Sequence, residues 1–367
     1  MTDIITITNR YEILFLYECK DCNPNGDPLD ENRPRTDPET GQATVTDVRI
    51  KRTIRDYLLA KNPDVKDRLK NGMEILVRDT LKTDGSLSEG KDRAKQLGNK
   101  RKEIRDNALQ QCIDARLFGC VLPTGSSKGK DKKSGKGKKS KNEELPLEEM
   151  ESESASNNND SEKGTAVQIT GPVQFSAFNR SLHRVAPIMV QQTGAFAGGK
   201  GVDVKTLAER WLVPYALIAS YAVVNEVSAR TSQMTQVDFN LLLEALWEGT
   251  ASLNTHSKMG HDPMLLIVAE YEPMHRLGAL SSRIKLDEKT QEDTALRSTA
   301  DYKVNVSDLL DGFKQCKALK TLKVRQDNRL QLKANDQSAD FISLAKQAGL
   351  PVVELNFTEQ ADSPAEK

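Results

Sequence analysis

The chain is poor in the residues that most often carry chemistry. Its 367 residues include only four histidines and five cysteines, and aromatic residues make up 5%. Four histidines give no strong Ser-His-Asp or Cys-His arrangement. The cysteines, at 19, 22, 112, 120 and 316, are odd in number and scattered. That excludes a disulfide framework and fits a reducing cytoplasm. No apolar run reaches the roughly 18 residues of a membrane span. The first 18 residues have no basic region ahead of their apolar ones, so a signal peptide is not expected. Net charge is absent too, with Lys plus Arg and Asp plus Glu at 53 each. A protein binding nucleic acid through its whole surface is basic; this one can do so only through a local stripe. The GKG and GGKG stretches lack the spacing and the trailing Ser or Thr of a phosphate-binding Walker loop.

What is present describes a globular chain, 37% hydrophobic and 29% charged, of two domains or one elaborated domain. Residues 126–165 stand apart: a Lys/Gly run without apolar residues, then an acidic, Ser-rich run. Neither buries enough apolar area to offset the entropy of ordering, so a disordered insertion is expected. Its basic half resembles a nucleic-acid tail, but the acidic half screens it, and a self-neutralising linker is the preferred reading.

Elsewhere, aromatic and branched residues at 11–18 predict a strand. An apolar stripe of Ile50, Ile54, Tyr57 and Leu58 predicts a helix from about Asp47 to Ala60, capped by Thr46 or Asp47. Residues 73–81 read as a second strand, and 91–119 as helix stopped by Gly119. Residues 166–178 read as a strand bent at Gly171-Pro172, and 189–211 as a long hairpin. The 213–229 pattern fits helix or strand equally. A helix with Asp238 as N-cap follows, then a strand entered at Pro263. From Leu309 a helix and a hairpin are expected, with a frayed tail at 358–367. This order is compatible with an α+β, ferredoxin-like β-α-β-β-α-β sheet interrupted by insertions.

The stretch CKDCNPNGDPLDENRPR at 19–35 poses the main question of chemistry. Cys19 and Cys22 have metal-ligand spacing, but a structural zinc site needs four ligands. No second CxxC exists, and nothing in the sequence ties His256 or His261 to the pair, so no metal is expected. Asn23 to Pro28 is turn sequence, which aims backbone N–H groups outward. Arg33 and Arg35 then add charge suited to phosphate, with Asn for ribose or base edges. Arg49, Lys51, Arg52 and Arg55 place four cations within about two helical turns. With the apolar stripe inward they are expected to project sideways or outward. Further on, strand alternation puts Arg180, Leu182 and Arg184 on one side and His183 opposite.

These residues carry a resemblance. NPNGDP, NRPRTDPETGQATVTDVRIKRTIRDYL, ARLFG, TGPVQFSAFNRSLHRV and PMLLIVAEY are together similar to the backbone subunit of CRISPR Cascade complexes. That subunit is a member of the RAMP superfamily of guide-RNA-binding proteins; the type I-B form is nearest and type I-C next. The resemblance implies an RRM-like palm with a helical fingers insertion and a protruding thumb hairpin, and makes 213–229 a strand. The parts would be palm at 1–90 and 213–310, fingers at 91–185, thumb at 186–212 and a C-terminal extension at 311–367.

It further implies a cytoplasmic, non-catalytic scaffold without cofactor that polymerises along crRNA. Such a scaffold displays the spacer for pairing with target DNA and contacts other copies of itself and other Cascade subunits. Asn23, Asn25 and Gly26 would line the RNA path. Arg33, Arg35, Arg49, Lys51, Arg52 and Arg55 would meet phosphates, with Arg180, His183 and Arg184 beside them. Met189 and Phe196 would supply the thumb wedge. The rival reading is a metal-dependent target-RNA nuclease using Asp21, Asp27, Asp30 or Asp37.

Overall fold

The computed structural model describes residues 5–82, 84–124, 166–197 and 205–357. The expected disordered insertion and frayed tail lie outside them. The architecture is mixed α/β.

Its centre is β1 (Arg10–Cys22), whose apolar residues are buried on both sides. Ile13, Phe15, Tyr17 and Cys19 join one core, while Leu14 and Leu16 join a second. Two charged residues of β1 are sealed in and satisfied, as burial demands. Glu12 accepts the backbone N–H groups of Leu277 and Gly278, both at 2.9 Å. Glu18 pairs with Arg329 at 3.0 Å.

After β1 come β2 (Gln42–Thr46) and α1 (Asp47–Lys61), then a helical region of α2 (Gly90–Leu97), α3 (Arg101–Gln111) and α4 (Ile113–Phe118). A two-stranded ribbon of β3 (Gly119–Pro123) and β4 (Ala166–Thr170) closes it. Leu76, Leu97, Ile104, Leu109, Leu122 and Ile169 give this region its own small core. Pro123 pairs with Ala166, so the chain leaves and re-enters the ribbon at one point. Next are β5 (Phe178–Arg184), β6 (Ile188–Ala197), β7 (Lys205–Val224), α5 (Gln236–Ala251) and β8 (His261–Tyr271). The C-terminal part adds α6 (Ser307–Gln315), β9 (Leu319–Gln326), α7 (Phe341–Gln347) and β10 (Val352–Glu354).

Among the described residues the main sheet has nine strands, with the principal order β10-β9-β8-β1-β7-β5-β2. β1 is antiparallel to both neighbours, β7 and β8. α1 and α5 cover one face, and residues from 280 to 350 cover the other. The covering layer therefore begins well before residue 311.

Three expectations need correction. Residues 73–81 are not a strand: Glu74 and Leu81 make only isolated bridges. The N–H groups of Leu76 and Val77 go to the buried Asp114 carboxylate at 2.7 and 3.0 Å. Their place in the sheet is taken by β5. Thr235, not Asp238, caps α5; Asp238 closes the capping box and also holds Arg116 at 2.7 Å. The expected helix from Leu309 is α6, and 332–338 form a short hairpin, but the C-terminal segment also adds an unexpected parallel β9-α7-β10 unit docked on β8. Positions 212 and 213 lie within one continuous strand, β7. β7 pairs with β6 in the hairpin, then runs on beside β1. Its 20 residues span about 65 Å.

Gly119 ends α4 at φ 72°, ψ −179°, a combination open essentially to glycine alone. A Cβ there would lie 2.0 Å from the Ile169 carbonyl oxygen. Gly119→Ala is expected to lower stability by at least about 2 kcal/mol in chemical denaturation. Gly85→Ala, also at positive φ but with open space around it, is expected to cost less than half of that.

Candidate nucleic-acid interface and the loop beneath it

The turn after β1 is built from its own side chains. The Asn23 amide donates to the Asn32 carbonyl at 2.7 Å, and the Thr46 hydroxyl donates to Asn25 Oδ1 at 3.3 Å. Both asparagines are buried, at 2% and 7% exposure. Their side chains therefore brace the loop from within. Gly26 is needed for close approach, since a Cβ would sit 1.9 Å from Asn32 Oδ1. A second loop supports the first from below. Lys20 N–H donates to the Gly260 carbonyl and Asn23 N–H to the Ser257 carbonyl, both at 2.9 Å. Lys258 Nζ reaches the carbonyls of Asn23 and Pro24. Burial, helped by the nearby Arg49 charge, lowers the Lys258 ammonium to about 8.

Register also places Cys19 opposite His261. Cys19, Cys22 and His261 then form one buried group whose ligand atoms all lie within 4.8 Å of one another. The Cys22 thiol is held down at about 5, first by the hydrogen bond from Cys19 and then by His261, against the opposing effect of burial. Burial pushes Cys19 up. The pairing that the sequence left without partners thus has a third member.

α1 starts where expected, with Thr46 Oγ accepting the Arg49 N–H. Its four cations do not behave alike. Arg52 is half exposed and pairs with Asp56 at 2.7 Å and Asp79 at 3.5 Å. Arg49 is half buried and hydrogen-bonds Thr53 at 3.2 Å. On the opposite flank Lys51 pairs with Asp47 at 2.8 Å and lies over Phe118. Arg55 points inward, contrary to expectation. Its Nε bonds Asp114 at 2.9 Å and its guanidinium lies over the same ring. Asp114 needs this partner because it is fully buried.

A second cationic group forms at the sheet edge. Arg180 and Arg184 on β5 sit opposite Thr44 and Gln42 of β2, and Thr44 N–H donates to the Arg35 carbonyl. Arg180 pairs with Asp37 at 3.3 Å and Arg35 with Asp27 at 3.1 Å. Arg33 lies over the Trp211 ring of β7 at 4.8 Å. Among the described residues Arg33 and Arg184 make no ion pair. The expected alternation is present, with Arg180 and Arg184 exposed. His183 is buried and acts as a strut: one ring nitrogen meets the Arg184 carbonyl at 2.8 Å and the other the Leu217 N–H at 3.4 Å. It stands inside the sheet and not beside the cations. Met189 is exposed on the hairpin; the Phe196 side chain lies outside what the structure describes.

Asp27 and Asp37 are spent on local structure. Asp27 accepts the Leu29 N–H, and Asp37 accepts those of Glu39 and Thr40. Among the described residues none of Asp21, Asp27, Asp30 and Asp37 joins two other ligating side chains.

A family profile described as "CRISPR-associated protein Cas7" matches residues 9–307. A relative from Haloferax volcanii, described as "CRISPR-associated protein Cas7", is 29% identical over 378 aligned residues, covering 98% of this chain and 99% of the relative. Among solved structures, a chain of a "CRISPR RNA-guided surveillance complex, pre-nicking" has a TM-score of 0.47 at 10% identity, covering 92% of this chain and 98% of that one. A chain of a "CRISPR RNA-guided surveillance complex" has a TM-score of 0.43 at 14% identity, covering 92% and 97%. No helix among the described residues is long and apolar enough to cross a membrane.

Arg55→Ala leaves Asp114 charged, buried and unpaired, and is expected to cost about 3–5 kcal/mol of stability. Arg52→Ala removes an exposed pair and should stay within about 1 kcal/mol. Urea midpoints of the two variants decide this; equal midpoints would contradict the division.

Proposed function

The chain belongs to the CRISPR-associated protein Cas7 family, and from that premise we propose that it is a non-catalytic crRNA-binding scaffold. Several copies polymerise along the guide as the backbone of a surveillance complex. The complex includes further Cascade subunits and displays the spacer for pairing with target DNA. Sequence recognition is delegated to base pairing, while the protein holds the backbone. The motifs that resemble the type I-B form favour that subtype. The observation that carries the reading is the family match over residues 9–307.

The path β1-α1-β5-β7-α5-β8, with spatial order β8-β1-β7-β5, supports an RRM-like palm. The helical region with its own core fits fingers, and the β6–β7 hairpin fits a thumb, with Met189 and Phe196 as the proposed wedge. This palm grips by its rim. Arg33, Arg35, Arg180 and Arg184 at the sheet edge, with Arg52 on α1, are the phosphate-facing set. Arg49 and Lys51 stand nearer the loop root and the fingers, and contribute field more than direct contact. Asn23, Asn25 and Gly26 contribute the shape of the loop. The exposed ion pairs of Arg35, Arg52 and Arg180 are worth at most about 1 kcal/mol each, so a phosphate displaces the carboxylate at little cost. While no phosphate is bound, the same pairs keep the apo chain from repelling itself.

Arg180→Ala and Arg184→Ala are expected to weaken binding of all guide sequences alike. The salt dependence should flatten by about 0.7 per lost phosphate contact on a single strand. A loss that varies with guide sequence would point instead to base reading. Incubation of the assembled complex with labelled complementary RNA and Mg²⁺ is expected to leave the RNA intact. Regularly spaced cuts would replace the scaffold reading with the nuclease one.

A further inference from the structure

We propose that Cys19, Cys22 and His261 are three ligands of a soft divalent metal site, with zinc the preferred ion, that rivets the end of β1 to the start of β8. The site does not depend on guide binding and is separate from the cationic rim.

The geometry arises from the backbone. Cys19 and His261 are register partners across β1 and β8, 242 positions apart in the chain. Cys22 is three positions after Cys19, which in a regular strand would put it on the opposite face. Asp21 breaks that rule: it adopts φ 50°, a left-handed conformation uncommon outside glycine. The turn brings Cys22 back into the same core as Cys19. All three side chains are buried, at 0%, 1% and 5% exposure. A strained residue that faces two thiols and an imidazole toward each other is an unusual expense for ordinary packing.

The distances fit. Cys22 Sγ lies 3.5 Å from His261 Nδ1. With Zn–S of about 2.3 Å and Zn–N of about 2.0–2.1 Å, the edge of a tetrahedron between them is about 3.5 Å. Two thiolates and a neutral imidazole balance a dication, and this donor set selects zinc-like ions over Mg²⁺ or Ca²⁺. Three protein ligands leave a fourth position for water or one more group. Asn23, the next residue in the chain, carries a buried Oδ1 with no hydrogen-bond partner among the described residues. In the metal-free geometry the same Nδ1 of His261 lies 2.6 Å from the Lys258 carbonyl, so ligation requires it to give up that hydrogen bond and its proton.

The position gives the metal a task. The loop 252–260 and the loop 20–24 meet here through two backbone hydrogen bonds and Lys258 Nζ. A metal joining Cys19 and Cys22 to His261 would turn this seam into a cross-link at the root of the Asn-Pro-Asn-Gly turn.

The full chain, purified with zinc under reducing conditions and passed over a desalting column, is expected to carry one zinc per chain by elemental analysis. Cys19→Ser and Cys22→Ser should each lose it, while Cys316→Ser keeps it. Cobalt substitution of the unmodified chain should give thiolate-to-cobalt charge-transfer absorption and the visible bands of tetrahedral Co(II). That spectrum decides the matter even if the serine variants fail to fold. Absence of stoichiometric metal and of the cobalt bands would overturn the proposal. So would zinc retained by both serine variants, or a Cys19–Cys22 disulfide found by mass spectrometry in the reduced preparation.

Discussion

The structure turns on a central strand that has no free side. β1 is paired along both edges and buried on both faces. Each buried CH₂ on such a strand is worth about 0.8 kcal/mol, so exposing either face would be costly. An RRM-type sheet commonly presents one face on which bases stack. Here residues from 280 to 350 occupy that face, with Tyr302, Phe313 and Phe341 sealed against Leu14, Leu16 and Ile267. That leaves the rim uncovered: the loops leaving the strand ends, the exposed flank of α1 and the β5–β2 edge, where Arg52, Arg180 and Arg184 are exposed.

Charge along the rim is sorted by how easily it can be released. Arg55 and Arg116 are held by buried carboxylates, Asp114 and Asp238, at 2.9 and 2.7 Å. Those carboxylates also cap a helix or hold backbone N–H groups, so losing the arginine leaves several groups unsatisfied. Arg35, Arg52 and Arg180 have partners on the surface, where water and salt already share the interaction. Only the second class can be exchanged for a phosphate without unfolding something. Two neighbouring cations on α1, Arg55 and Arg52, thus fall into different classes, and the difference lies in the partner.

This sorting also marks what the sequence could and could not convey. The apolar stripe of α1, its start at Asp47 and the strand character of β1 and β8 follow from local periodicity, and all three are present. The inward turn of Arg55 does not follow, because its partner Asp114 is 59 positions away. Residues 73–81 have the composition of a strand, yet Ile75 and Leu76 are buried in two different cores and the N–H groups of Leu76 and Val77 serve Asp114. Asn-Pro-Asn-Gly announces a turn, but the direction of its side chains depends on Asn32 and Thr46. The β9-α7-β10 unit was not read from the sequence, although Asp340, whose side chain caps α7, stands at the helix start. The grouping of His261 with Cys19 was not legible at all, since it needs the register of two strands far apart in the chain.

The same logic accounts for the chain's tolerance of its long neutral insertion. Pro123 and Ala166 face each other at the end of a ribbon, so the intervening residues close a loop whose ends are already together. Lengthening such a loop tenfold costs about 2 kcal/mol in closure entropy. The ribbon and α2–α4 share a core of their own, which confines that cost to the helical region. The central strand, the braced loop and the rim arginines lie on the other side of the Arg55–Asp114 and Arg116–Asp238 joints. A device that must hold a strand of RNA in fixed geometry without reading it needs stiffness at the loop root and exchangeable charge at the edge. The fold supplies the first by burial and the second by leaving its arginines only lightly paired.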